Sequence, residues 1–207
     1  MNSYSLAPLE KVAEADFPTE FGVFRIYGFR GGDTAGSDRI EEAVALRMGD
    51  LAAQTPLVRI HSQCLTGDVF HSLRCDCRAQ LEIALESIAR EDCGLLIYEC
   101  QEGRGIGLLN KLRAYELQDQ GADTVEANQQ LGFDSDLRSY ALPGAILRHF
   151  GLREIRLLSN NPQKVEAVES AGVRVVERVP CLANVIGTRE AYLRTKKEKM
   201  GHLLEGL

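Results

Sequence analysis

The stretch 61–77, HSQCLTGDVFHSLRCDC, holds Cys64, Cys75 and Cys77 in the spacing C-x10-C-x-C. Three soft thiolates in one short segment suit zinc, which prefers sulfur and nitrogen in a tetrahedral shell. A structural zinc site takes four protein ligands, whereas a catalytic one leaves a position for water, whose pKa the metal lowers toward about 7. With no second C-x-C pair nearby, the spacing fits the open kind, although His61 and His71 stay available as a fourth ligand. Inert buried thiols would be the bland reading, and it suits Cys93 and Cys181, each alone among apolar residues. Cys100 follows an apolar run and has no partner spacing.

A second group of residues could meet an anion. EGRGIGLLN places glycines just ahead of a helix start, where backbone N–H groups and the helix dipole favour negative charge. Its glycine spacing is not the dinucleotide fingerprint G-x-G-x-x-G. Activated water attacking an electron-poor ring carbon is the chemistry of nucleobase deaminases with Cys-rich zinc shells, so a purine is a reasonable substrate.

The elements that must position these groups follow from periodicity. FGVFRIYGF, IEEAVALRM and TPLVRIHS read as strands, with GGDTAG as a loop between the first two. RAQLEIALESIARED is a helix with Leu81, Ala84, Leu85 and Ile88 inward, and LLIY a buried strand. GIGLLNKLRAYELQDQG predicts a helix with Leu108, Leu112 and Tyr115 on one apolar stripe and Gly121 as its stop. The stretch 123–140 reads as loop, then a helix runs from about Pro143 to Phe150. IRLLS is a strand, Asn161 and Pro162 open a helix as N-cap and first-turn proline, AGVRVVERV is a strand, and a charged helix from about Glu190 follows. The expectation is α/β: a single three-layer αβα domain over 1–207 with a mixed sheet, antiparallel N-terminal strands and βα units in the second half.

A net charge of −6 argues against a nonspecific nucleic-acid binder, though a local cation cluster can still hold phosphates. The acids and proline of MNSYSLAPLEKVAEADFP do not make a signal peptide, and no apolar run nears the roughly 18–20 residues that span a bilayer. A cytoplasmic protein with reduced thiols and no membrane contact is expected.

Taken together, HSQCLTGDVFHSLRCDC, QEGRGIGLLNKLRAYELQDQG, DTVEANQQLGF, SNNPQKVEAV and TKKEKMGHLL resemble GTP cyclohydrolase II, in one uninterrupted order from about Glu10 to about Leu204. The resemblance implies a homodimeric enzyme with one Zn2+ per chain and Mg2+ on the GTP phosphates. It implies conversion of GTP to 2,5-diamino-6-(5-phosphoribosylamino)pyrimidin-4-one, formate and pyrophosphate, usually the entry to riboflavin synthesis. Carried onto this chain, Cys64, Cys75 and Cys77 become the zinc ligands. Arg59, Ile60, His61, Ser62 and Gln63 run along the nucleotide, with Gln80, Glu102, Gly103, Arg104, Thr124, Ser159 and Lys164 completing the pocket. Asp136 is the family's proton acceptor, Arg138 the group assigned as nucleophile toward the α-phosphate, and Tyr115 the tyrosine of the later hydrolytic step. Chemically, Arg59, Arg104 and Lys164 suit a triphosphate, and Glu102 and Gln80 suit a guanine edge. A guanidinium is an awkward nucleophile, so electrostatic stabilisation by Arg138 is an equal account. The rivals are a paralogue serving a specialised pathway, one that stops at the formylated intermediate, and a GTP-binding zinc module without turnover.

Overall fold

The computed structural model describes residues 9–32, 40–134 and 136–183, with 197, 201 and 203. Three consecutive strands open the chain: β1 (Glu10–Thr19), β2 (Gly22–Gly32) and β3 (Ile40–Met48), each antiparallel to the next. β1 has no counterpart in the sequence reading. Nine of its ten residues are exposed, so neither face carries the apolar alternation that marks a half-buried strand. It behaves as an edge: Pro18 sits near its end, and Glu14 and Asp16 pair across the strands with Arg25.

From β4 (Leu57–Ser62) the chain becomes a βα alternation. A one-turn helix α1 (Leu65–Asp68) and the long α2 (Cys77–Glu91) lead to β5 (Gly94–Glu99). A 3-10 turn (Glu102–Gly105), α3 (Leu108–Asp119), α4 (Thr124–Gln130) and α5 (Ala141–His149) then lead to β6 (Glu154–Leu158). α6 (Pro162–Ser170) and β7 (Arg174–Val179) follow. The sheet order is β1-β2-β3-β5-β4-β6-β7, and β4 is parallel to both β5 and β6. The mixed sheet and its α/β class agree with the sequence.

Two apolar layers hold the sheet between helices. On one face Ala84 and Ile88 of α2 pack with Phe24, Leu57, Leu96 and Leu158. On the other, Leu142, Ile146 and Leu147 of α5 and Val168 of α6 pack with Phe29, Val58, Ile60, Leu95 and Ile97. After β4 the chain turns through α2 to β5 on one side, and after β5 it crosses by α5 to β6 on the other. That divergence leaves a crevice at the carboxyl ends of the parallel strands, where open α/β sheets bind ligands.

Two helices depart from expectation. The stretch 124–130 is helical because the Asp123 carboxylate at its N-cap accepts from the amides of Val125 and Glu126 while the Glu126 carboxylate accepts from the Asp123 amide. This D-x-x-E capping box is a start signal legible in the sequence. α5 starts two residues before the proline. Pro143 lies in the first turn, where its missing N–H costs no intrahelical bond. The closing helix from about Glu190 and the GGDTAG loop fall mostly outside the described residues.

Candidate active site

One cleft opens over the ends of β4, β5 and β6. The strand pleat supplies it from two sides. Leu57, Arg59 and His61 alternate toward α2, whereas Val58, Ile60 and Ser62 alternate toward α5 and α6. The thiols therefore gather on the α2 side, and Arg138 with Lys164 gathers on the other.

Cys64 leaves β4 and caps α1, Cys75 lies in the following loop, and Cys77 is the first residue of α2. Their sulfurs all lie within 4.8 Å of one another, and no histidine belongs to the group among the described residues. The separation of the Cys64 and Cys75 sulfurs is 3.7 Å, near the edge of about 3.8 Å of a tetrahedron built on zinc–sulfur bonds of about 2.3 Å. Gly67 leaves room for them: a Cβ there would stand 2.8 Å from the Cys75 sulfur and 3.1 Å from that of Cys64. The donor set and its cradle thus fit a tetrahedral soft metal with one position left to another ligand. Hydrogen bonds from Cys75 and Cys77, with Lys111 nearby, hold the Cys64 thiol well below its ordinary pKa, so one thiolate is already favoured. His61 is not a ligand here. Its Nε2 lies 3.3 Å from Asp68, which in turn accepts from the Cys64 amide and the Tyr98 hydroxyl. His71 is exposed.

Cations enter the cleft from both sides, Arg59 beside α2 and Lys164 with Arg138 on the opposite wall. Arg59 donates to Gln80 at 2.7 Å and to the Leu158 carbonyl at 2.9 Å, and Lys164 donates to the Ile60 carbonyl at 2.8 Å. Both are buried, and burial beside Arg59 and Arg138 pushes the Lys164 amine well below its ordinary pKa. Arg59 Nε and Arg104 Nη1 are buried without a hydrogen-bond partner among the described residues. Buried donors of that kind call for an acceptor that enters with a ligand. Asp136 grips Arg138 through both carboxylate oxygens and the Arg138 amide. Burial opposes the charge of each, but the pairing lowers the Asp136 pKa and raises that of Arg138.

The 3-10 turn bridges the two walls. Gly103, Arg104 and Gly105 all have positive φ, at 62°, 60° and 93°, a run that glycine on either side of the arginine makes accessible. A Cβ on Gly105 would meet Leu137 backbone at 3.1 Å, and the Leu137 amide donates to the Arg104 carbonyl at 3.0 Å. The turn and the 136–138 loop therefore fix each other. Glu102 is largely occupied by protein: it accepts from the Leu65 amide, the Gly103 amide and Lys111. Gln80 likewise joins Arg59 to Asp76.

His61, Ser62, Gln63, Gln80, Glu102, Gly103, Arg104, Tyr115, Thr124, Arg138, Ser159, Lys164, Arg59 and the three thiols all line the cleft. Ile60 does not: its side chain lies in the apolar layer, and its carbonyl holds Lys164. Asp136 stands behind Arg138 rather than on the wall.

The face of α3 is a correction. Leu112 is 44% exposed, and the side turned to the cleft carries Lys111, Ala114, Tyr115 and Gln118. The helix covers a polar cavity, so its inward stripe is amphipathic and the leucine pattern misleads. Lys111 was missed for that reason. Its Nζ sits 2.8 Å from Glu102 and 3.1 Å from the Cys64 sulfur. The i, i+4 spacing from Lys111 to Tyr115 was the available signal. The Tyr115 hydroxyl reaches Thr66 at 3.2 Å, and Thr66 lies 3.7 Å from the same sulfur.

Three thiols and several cations around one crevice of a mixed α/β sheet make the kind of cleft in which an enzyme can set an anionic substrate beside a metal-competent centre. A family model described as GTP cyclohydrolase II matches residues 10–180. A GTP cyclohydrolase-2 of Escherichia coli O9:H4 (strain HS) is 55% identical over 197 residues, 95% of this chain and 98% of that one. The riboflavin biosynthesis protein RibBA of Aquifex aeolicus is 52% identical over 197 residues, 94% of this chain and 47% of its own length. Among solved structures, RibBX of A. baumannii, titled a two-domain 3,4-dihydroxy-2-butanone 4-phosphate synthase, superposes with a TM-score of 0.50 at 18% identity. That match spans 87% of this chain and 42% of RibBX, and it bears on fold alone. The chain belongs to the GTP cyclohydrolase II family and is a hydrolase.

Proposed function

We propose that this protein hydrolyses GTP for riboflavin synthesis, opening the imidazole ring at C8 and yielding the diaminopyrimidinone, formate and pyrophosphate. The observation that carries the reading is that the three thiols and the cations Arg59, Arg104, Arg138 and Lys164 line one cleft. Residues 1–207 act as one catalytic unit, as a cytoplasmic homodimer. The described part contains no helix long and apolar enough to cross a membrane.

The side chains divide the work. Arg59 Nε and Arg104 Nη1 donate to phosphate oxygens, which supply their missing acceptors. Lys164 regains full charge when the polyanion arrives, because the phosphates offset the burial and repulsion that hold its pKa down. Asp136 keeps Arg138 protonated and aimed, which favours a guanidinium that stabilises charge on the α-phosphoryl group over one that attacks it. Ser62, Gln63, Thr124 and Ser159 offer polar contacts to ribose and base, while Glu102 keeps one acceptor site for the guanine edge. Cys64, Cys75 and Cys77 would hold zinc, which supplies Lewis acidity and a water ionising near neutrality. Magnesium carried on the triphosphate would neutralise the departing pyrophosphate. Tyr115, whose pKa burial raises, stays protonated and donates to the formamide or to the last water.

The test is incubation of purified protein with GTP and Mg2+, with the product identified by mass and formate assayed. Intact GTP after metal loading would sink the reading.

A further inference from the structure

The geometry points to Glu99 as a positioning residue for Arg138: its buried carboxylate at the end of β5 steers the 136–139 loop through Ser62 and Gln101. The inference rests on the function proposed above and adds a residue that no part of that reading uses. Glu99 is 1% exposed and ends an otherwise apolar strand, where a charge has no packing role. It lies beside Ser62 in the parallel ladder, on the α5/α6 face of the sheet.

Two short chains of hydrogen bonds run from it. In the first, the Ser62 hydroxyl donates to Glu99 Oε2 at 3.2 Å while Arg138 Nη1 donates to that hydroxyl at 3.3 Å. A hydroxyl has one proton, so an acceptor-only carboxylate turns its lone pairs toward Arg138. In the second, Gln101 Nε2 donates to Glu99 Oε1 at 3.1 Å and to the Ser139 carbonyl at 2.6 Å. The Ser139 amide returns a bond to Gln101 Oε1 at 3.0 Å. Arg138 is thereby held from its side chain and from the next residue's backbone. Asp136 supplies its charge partner but, two residues away in the same loop, cannot fix that loop against the sheet.

The groups facing Glu99 are Lys164 from α6, Arg138 and Tyr140 from the loop, Glu41 from β3, Ser62 from β4, and Cys100 and Gln101 beyond β5. Burial raises the Glu99 pKa to about 7, with Lys164, Arg138 and Ser62 restraining the rise and Glu41 adding to it. Protonation would free the Ser62 proton to point elsewhere and loosen the grip on Arg138. Turnover should therefore climb as pH rises through that value.

The experiment compares kcat and KM across pH for the parent, Glu99→Gln, Ser62→Ala and the double variant. Glutamine keeps the shape and cannot ionise. The expected result is a kcat about ten- to a hundredfold lower than the parent's at pH 8, with KM within about twofold and the deficit against the parent shrinking as pH falls below 7, where the parent's carboxyl is protonated too. Ser62→Ala should lower kcat while the carboxylate remains, and the double variant should lose no more than the worse single one. Infrared difference spectra of the metal-loaded parent should show a buried carboxyl band that titrates near pH 7 and is missing from the glutamine variant. Parental kcat and pH profile in Glu99→Gln, multiplying losses in the double variant, or no such band would each overturn the assignment. A parent that leaves GTP intact would instead sink the function, and the infrared titration would still decide whether Glu99 ionises as stated.

Discussion

At the scale of single residues, the site works by holding charges that are costly unless occupied. Arg138 is the sharpest case, since its guanidinium is largely covered, gripped by Asp136 and held protonated. Arg138→Lys keeps the charge but loses the planar fork, so kcat should fall about a hundredfold. If Arg138 stabilises charge, no guanylyl adduct should be trapped on the parent by rapid quench. A covalent adduct on it would reinstate attack by the guanidinium. Tyr115→Phe should still consume GTP but accumulate the formylated intermediate, seen by mass, and normal formate release would remove the tyrosine from that step. Glu99 sets a stability trend of its own. Its folded pKa of about 7 lies above the unfolded value, so the stability it contributes is complete below about pH 4.5 and disappears as pH rises through 7. Glu99→Gln should flatten that slope in urea titrations between pH 5 and 8. The ionised form that positions Arg138 is the less stable one, a trade of stability for activity.

At the scale of elements, the question is what places three thiols within reach of one ion. α1 is a single turn, and its service is to let Gly67 pass beneath the sulfurs while Asp68 ties the Cys64 amide and Tyr98 together. Gly67→Ala would drive a methyl to within 2.8 Å of the Cys75 sulfur. The variant should fold, as its apolar layers are untouched, yet bind zinc at least about tenfold more weakly in a chromophoric chelator competition. Unchanged affinity would mean that the cradle does not shape the metal site. These elements also explain what could be read in advance. Cys64, Cys75, Cys77 and the EGRG turn lie in contiguous segments whose spacing carries their chemistry. Glu99, Gln101 and Lys111 are single polar residues beside those segments, and their meaning comes from cross-strand register or from a helix face turned to a cavity. β1 gives no sign because an edge exposed on both faces needs no apolar period, whereas α4 does carry a start signal in its D-x-x-E capping box.

At the scale of the whole molecule, α3 has two sides with different fates. The inner side, with Lys111, Tyr115 and Gln118, closes the cleft. Outside, Leu109 is 74% and Leu112 44% exposed, and Phe70, in the loop that carries Cys75, is 70% exposed. Large apolar side chains left in water beside catalytic segments suit contact with a second copy. Apolar residues are also exposed on the β1–β2 hairpin at the sheet edge, at Val12, Phe17 and Val23, so exposure alone does not choose the interface. Position does: contact through α3 and the 69–73 loop would brace the walls of the cleft, whereas contact through the β1–β2 hairpin would leave them alone. Sedimentation of the parent should therefore report a dimer. Leu109→Glu combined with Phe70→Glu should give a monomer with at least about tenfold lower kcat, because a dimer braces segments that otherwise open locally. Val12→Glu with Val23→Glu should remain dimeric and active. If the hairpin variant dissociates instead, or the parent sediments as a monomer with full activity, the catalytic cleft is complete within one chain and α3 needs no partner.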